Sequence, residues 1–253
     1  MASQYLRTNQ LAQAVGVHAN TVRLYEEWGY IAPAPRSAAG YRLFTPLHLE
    51  QMRLARLAMS WPYPGSREGT LELVRCAVNE DLGMAMEWAY QNLAHVRVER
   101  THAEAAVEFL ERWAAGHVLD TTKGHYHIRD AATRLGVTVD MLRNWERDGL
   151  LEVPRDPASH YRLYGAAEFG RLRVIRMLRK AGYSMMAILR MLLYFDAGRR
   201  DNLRQVLDTP REDEDIQWVA DRWLTSLAEQ EERAQAVIRQ VSRLIEMTVS
   251  PST

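Results

Sequence analysis

The chain of 253 residues is short of several things. It has one cysteine, Cys76, which excludes a disulfide framework within the chain and leaves no set of thiolates to hold a metal. It lacks net charge, with 32 basic and 32 acidic residues, so no global field announces a polyanionic partner. Lysine is nearly missing: beyond Lys123 and Lys180, arginine supplies every basic side chain. No apolar run approaches the ~20 residues of a membrane span, and the opening MASQYLRTNQ lacks the apolar core of a secretion signal. A soluble, cytoplasmic protein without membrane contact is the expectation. Absent too are a phosphate-cradling glycine loop, a zinc-protease helix and a nucleophile elbow, so no catalytic residue is assigned and no enzyme is expected.

What is present is unevenly spread. Residues 1–60 carry six arginines against three acids, and 125–183 carry eleven basic against seven acidic side chains. The stretches 71–120 (four basic, nine acidic) and 201–247 (six and eleven) reverse the sign. Two basic lobes inside a neutral total are compatible with nucleic-acid binding, and equally with ordinary solvated helix faces.

The basic lobes coincide with an internal repeat. VHANTVRLYEEWG at 17–29 lies over VTVDMLRNWERDG at 137–149, matching Val17 with Val137, Arg23 with Arg143, Glu26 with Glu146 and Gly29 with Gly149. A single offset of 120 residues extends the match, without a gap, from Ala12 over Ala132 to YRLF at 41–44 over YRLY at 161–164. Identity at a fixed period over this length marks a duplicated unit. In each copy a short helical pattern, Asn9 to Val15 or Arg129 to Leu135, ends at a glycine. A second helix follows, with Thr138 well placed as N-cap in the second copy and His18 a poorer one in the first. Gly29 and Gly149 stop that helix, and a proline-bearing stretch, IAPAPRSAAG or LEVPRDPASH, leads to the β-like YRLF or YRLY. Helix, glycine turn, helix and small wing is the helix-turn-helix layout, whose second helix enters the major groove.

VHANTVRLYEEWGYIAPAPRSAAGYRLF and VTVDMLRNWERDGLLEVPRDPASHYRLY both resemble the winged DNA-binding domain of the MerR-type transcription regulators. AEFGRLRVIRMLRKAGYSMMAILRMLL is similar to that family's next two helices. In the first copy LHLEQMRLARLAM fits, but SWPYPGSREGTLELV replaces the usual glycine-aromatic-serine entry to the fourth helix. Met141 and Asn144 replace the commoner Thr and Tyr of the second recognition helix. The resemblance implies a regulator that binds and distorts promoter spacer DNA and switches transcription by RNA polymerase when an effector arrives.

Base edges are within reach of the second helix's exposed face: His18, Asn20, Thr21 and Arg23 in the first copy, Thr138, Asp140 and Arg143 in the second. The planar fork of arginine suits guanine or phosphate, and asparagine pairs with adenine. Asp140 would repel phosphate, so it either caps the helix or accepts from a cytosine amino group. Tyr25 and Trp145 are placed either to lie against the sugar-phosphate backbone or to join the core. The wing residues Arg36, Tyr41, Arg42, Arg155, Tyr161 and Arg162 are expected to hold phosphates and set register. Val22, Leu24, Leu43 and Leu142 are expected in the core.

The acidic stretches carry a 3-4 spacing. Apolar or small residues fall at 86, 89, 93, 96, 103, 107, 110 and 114, with Arg100 in the open slot. They fall again at 216, 220, 223, 227, 234, 237, 241 and 244, with Gln230 in the open slot. Two long coiled-coil helices are predicted. Both polar slots lie midway, so antiparallel pairing would oppose Arg100 to Gln230 and fix the register. The expected fold is mainly α: two winged helix-turn-helix domains, each followed by a long coiled-coil helix, paired antiparallel with pseudo-twofold symmetry. Residues 1–60 and 121–200 are the reading domains, 61–120 and 201–253 the connecting and coil segments. Because subunits of the resembled family dimerise through an antiparallel helix pair, the resemblance implies a one-chain pseudo-dimer; the alternative is a homodimer.

Double-stranded DNA is the expected partner, read at an imperfect palindrome because HANTVR and TVDMLR differ. For a small aromatic effector the candidate pocket residues are Trp61 and Tyr63 behind the first copy, and Tyr194, Phe195, Trp218 and Trp223 behind the second. The same rings also build ordinary helix cores. His95 with His102, and His125 with His127, carry no metal expectation. The acidic DTPREDEDI at 208–216 reads as a helix N-terminal turn, and no cofactor is expected. The competing function is a small-molecule (drug) binding or sequestering protein with weakened DNA binding, suggested by Asp140, Met141 and Asn144.

Overall fold

A computed structural model describes residues 5–118, 120–210 and 219–249, the side chains of 219 and 220 excepted. The described residues are mainly helical, with isolated β-bridges in place of extended strands. They form two compact units, one of residues 1–98 and 227–253, the other of 99–226. None of the described helices is long and apolar enough to cross a membrane.

In the first unit α1 (Thr8–Val15) stops at Gly16, whose left-handed φ of +67° lets its N–H reach back to the Gln13 carbonyl. Recognition helix α2 (Ala19–Glu27) follows, capped by His18, whose ring accepts from the Asn20 N–H at 3.2 Å. His18 therefore fills the N-cap role that the sequence had ranked poorly. The wing returns through bridges Arg36–Arg42 and Leu6–Phe44. Next come α3 (Pro46–Ala58), with Thr45 as its cap, and α4 (Arg67–Val78), capped by Ser66. Leu11, Ala12, Val22, Ile31, Phe44 and Met52 form the core of this head. The segment that departs from the family pattern is pinned by Arg233, which donates to the carbonyls of Ser60 (3.0 Å) and Pro62 (2.5 Å).

The second unit repeats the plan with α6 (Ile128–Leu135), recognition helix α7 (Val139–Arg147), α8 (Ala166–Lys180) and α9 (Met185–Asp196). Thr138 caps α7 by accepting from the Met141 N–H at 3.1 Å, as its residue type foretold. Ala131, Ala132, Leu142, Leu151, Tyr164 and Leu172 are all buried; each lies 120 residues beyond a core residue of the first head. One brace is also duplicated. Arg56 donates to the Val15 carbonyl and Arg176 to that of Leu135, each covering the unsatisfied end of the head's first helix.

The 120-residue offset is not gapless. In the first wing Leu43 N–H bonds the Pro35 carbonyl and Ser37 N–H that of Tyr41; in the second the pairs are Leu163 with Pro154 and Asp156 with Tyr161. The second copy thus loses one residue before its wing and regains it in the wing turn. That turn closes from His160 to Asp156, against Gly40 to Ser37 in the first.

The predicted coil helices are α5 (Leu82–Ala114) and, after α10 (Leu203–Asp208) and a 3-10 turn at Val219–Arg222, α11 (Trp223–Val249). Each divides between the units. Within the first unit Ala85 and Ala89 of α5 share a core with Val237, Val241 and Leu244 of α11, and Arg97 meets Glu231 at 2.9 Å. Within the second unit Trp113, near the end of α5, packs its ring 4.6 Å from Phe195, and Arg200 donates to the Ala114 carbonyl at 3.2 Å. Each reading head is therefore completed by helix that belongs, in sequence, to the other copy. Of the predicted seam positions in α5, Met86 is half-buried and the other seven are buried. In α11 residues 227, 234, 237, 241 and 244 are buried and Trp223 half-buried; seam position 216 lies outside the described residues.

Arg100 engages Glu104 on its own helix at 3.0 Å, and Gln230 is buried. Most of the acidic run 208–216 falls outside the described residues, but Asp208 caps α11, accepting from Leu224 N–H at 2.8 Å and from the Thr225 hydroxyl at 2.5 Å.

Candidate nucleic-acid interface

The first head presents His18, Asn20 and Arg23 to solvent from α2, with Thr21 half-buried beside them. Leu24, expected in the core, is 36 % exposed, because the core-facing position of that turn belongs to Val22. Glu26 turns inward and holds the wing: its carboxylate accepts from Arg42 at 2.5 Å and from the Ala34 N–H at 3.0 Å. Through its Nε, Arg42, a wing residue expected at phosphate, also ties wing to recognition helix. Arg36 is exposed and reaches the Gly40 carbonyl at 3.1 Å, shaping the turn. Tyr41 is exposed, with the Arg7 guanidinium 4.9 Å over its ring. Arg7, Thr8, Asn9, Arg23, Tyr41 and Arg42 surround an open cleft of about 440 Å³ between α1, α2 and the wing.

The second head has the same frame. Glu146 accepts from Arg162 Nε at 2.6 Å, the same tie between wing and recognition helix. Arg155 reaches the His160 carbonyl at 3.3 Å, as Arg36 reaches that of Gly40, and Tyr161 is exposed beside the His127 ring, 5.7 Å away. The reading face differs. Arg143 is paired with Asp140 at 3.2 Å, and Arg147 donates to Asn144 at 2.9 Å. Thr138 gives its hydroxyl to the cap, and Asp140, though in the first turn, is not the cap. Trp145 is 4 % exposed and belongs to the core, so it does not lie against a DNA backbone; its larger ring fills space that half-buried Tyr25 shares with Trp28 and Tyr30. At the wing tip Asp156 accepts from the Ser159 N–H and hydroxyl and the Ala158 N–H. The Ser159 bonds hold its carboxyl below the usual range, so an anion stands where the first wing has Ser37.

Arg7 and Asn9, which complete the first cleft, were missed by the sequence reading, which began each site at the recognition helix. Their counterparts at the 120-residue offset, His127 and Arg129, are also exposed polar side chains, and that pairing was the available signal.

The aromatic residues expected at an effector pocket have local partners among the described residues. Trp61 and Tyr63 stack edge to face at 5.5 Å, Trp61 being 71 % exposed. Phe195 packs on Trp113, Tyr194 lies under Arg199, and the Trp223 N–H donates to the Ala181 carbonyl at 2.6 Å. Trp218 lies outside the described residues. Among the described residues no three His, Cys, Asp or Glu side chains gather as a metal set.

A two-helix frame that exposes an arginine on its recognition helix beside a braced wing defines a winged helix-turn-helix domain, here present twice. The family description "MerR HTH family regulatory protein" matches residues 126–194, and "MerR family regulatory protein" matches residues 7–44. The chain thus carries two MerR-type domains, one in each copy of the repeat. It is 32 % identical over 74 residues to the probable heavy metal-dependent transcriptional regulator of Haemophilus influenzae, which covers 29 % of this chain and 58 % of that one. It is 36 % identical over 53 residues to the HTH-type transcriptional regulator CueR of Escherichia coli O6:H1, covering 21 % and 39 %. To the mercuric resistance operon regulatory protein of Serratia marcescens it is 34 % identical over 61 residues, covering 24 % and 42 %. The chain thus spans between about two fifths and three fifths of the length of these relatives. No solved structure matches it significantly.

Proposed function

We propose that the protein is a DNA-binding transcription regulator that reads a pseudo-palindromic promoter site with α2 and α7. The observation that carries this reading is the duplicated exposure of an arginine, Arg23 and Arg143, on a recognition helix whose neighbouring glutamate clamps the wing. Such a clamp fixes wing and helix as one body, so phosphate contacts from Arg36, Tyr41, Arg155 and Tyr161 would set the register in which the helices meet base edges. The named relatives are transcriptional regulators, which agrees.

The chain acts, on this proposal, as a pseudo-dimer whose two coil helices pair antiparallel. Support comes from the exchange of helix halves: the first head's core already contains the α11 side chains that a separate subunit would otherwise supply. Two heads on one chain bind half-sites about 34 Å apart.

Footprinting on DNA upstream of the protein's own coding sequence tests this. Expected are two protected half-sites of unequal sequence, bound by a monomer, with affinity falling steeply as salt rises. Salt-insensitive binding, or none, would favour the rival reading, a small-molecule binder whose DNA surface has decayed. The ion pair Asp140–Arg143 and the Asp156 carboxylate at the second wing are the observations on that side.

A further inference from the structure

Behind the second reading head, within the second unit, lies a cleft of about 440 Å³, inside the range of small-ligand sites. Its apolar wall is Phe109, Val118, Leu135 and Met177; its polar rim is Arg134, Arg173, Arg176 and Lys180, four cations without an acid among them. The cations are not equivalent. Arg176 is committed to the Leu135 carbonyl, and Arg173 has the Asp120 carboxylate at 3.1 Å. Arg134 lies 4.1 Å over the Tyr126 ring, which occupies its face and leaves the N–H edge free to donate. Lys180, exposed, makes no ion pair among the described residues.

The repeat supplies a control. The corresponding cleft of the first head, also about 440 Å³, has Ala14 where the second has Arg134 and Ser60 where it has Lys180. Its cations are engaged: Arg53 on Glu50, Arg56 on Val15, Arg233 on Ser60 and Pro62. Where one copy has closed its polar groups on itself, the other has added two positive charges and kept an apolar wall. A fork and an ammonium beside hydrocarbon match a monoanion with an apolar body better than a bare phosphate, which would leave that wall wet.

We propose that this cleft binds a small aromatic carboxylate, its acid group held by Arg134 and Lys180 and its rings against Phe109, Val118 and Met177. The site joins the end of α5 to the helices of the second head, and binding there does not depend on the DNA-reading proposal.

Calorimetry on the full chain tests it with 1-naphthoate, neutral 1-naphthamide and inorganic phosphate as probes. Expected is saturable naphthoate binding, weakened at least about tenfold in the amide and in an Arg134→Ala/Lys180→Ser double variant, with no phosphate binding. Arg53→Ala in the other cleft should leave naphthoate affinity unchanged. Both changes install residues the first copy already carries, and an unshifted melting temperature would show the variant folded; should it melt early, Lys180→Ser alone gives the reading. Absent naphthoate binding, full affinity in the folded variant, or phosphate binding as well as naphthoate each overturns the proposal. DNA binding measured on the same samples separates the two readings, since a chain that grips DNA but ignores naphthoate sinks only this one.

Discussion

The two reading heads share a scaffold and differ in what they show to solvent. Glu26–Arg42 is matched by Glu146–Arg162, Arg56 by Arg176, and six buried core positions by six others. Above that frame the first head leaves Arg23 exposed and ends its wing in a serine-glycine turn. The second pairs Arg143 with Asp140, holds Asn144 with Arg147, and puts the ionised Asp156 at its wing. Internal braces thus hold the fold, leaving the exposed positions to diverge without cost to it. On the DNA-binding proposal, Asp140 and Asp156 would oppose the approach of the second head to a phosphate backbone.

The largest effect that would break the symmetry of the frame is Trp145→Ala. Loss of a buried indole should cost the second head about 3–5 kcal/mol, read as an earlier denaturant midpoint, while Tyr25→Ala at the half-buried counterpart costs less. Arg23→Ala should weaken DNA binding by about 1–3 kcal/mol in fluorescence anisotropy and relax sequence preference at one half-site. Asp140→Asn releases Arg143 and removes an anion, so affinity should rise by up to about 1 kcal/mol, confined to the other half-site; no gain would mean the second head does not face DNA.

Smaller still is the effect of Tyr164→Phe. The Tyr164 hydroxyl is buried without a hydrogen-bond partner among the described residues, and burial pushes its pKa up to about 12. The first head has Phe44 at this position, so the substitution should leave the melting temperature unchanged or raise it slightly, a gain of at most about 1 kcal/mol.

His48 provides the smallest test, a pH dependence. Burial lowers its pKa from 6.5, so the neutral ring is the one that folds. The unfolded chain then takes up a proton before the folded one, and stability present above about pH 6.5 declines as pH falls through it. Melting curves between about pH 8 and about pH 5.5 should show a shallower decline in His48→Gln. The second head has Glu168 here, which caps its own helix by accepting from the Gly165 N–H.

The frame of each head was legible because its signals are local: glycines where φ must be positive, and a second copy that repeated them. The Glu–Arg clamps were legible too, since both partners recur in both copies, but wing arginines invite a phosphate reading and the glutamates were left out of the account. Trp145 stayed open between backbone and core because it aligns with Tyr25, and alignment says nothing of how deep a larger ring will sink. The wing shift was hidden because a deletion and an insertion cancel over a few residues, restoring the offset at YRLY. The cleft lined by Arg134 and Lys180 draws on residues from 109 to 180, a gathering that periodicity does not record.

The exchange of helix halves has a consequence for how the molecule is made. Val237, Val241 and Leu244 belong to the same core as Leu54, Leu73 and Ala85. A ribosome that has released only the first reading head has therefore not yet translated the side chains that close its apolar floor. That head must wait through the synthesis of its twin, its floor open to chaperones or to other nascent copies. Final closure brings together residues far apart along the chain, the kind of contact that forms late.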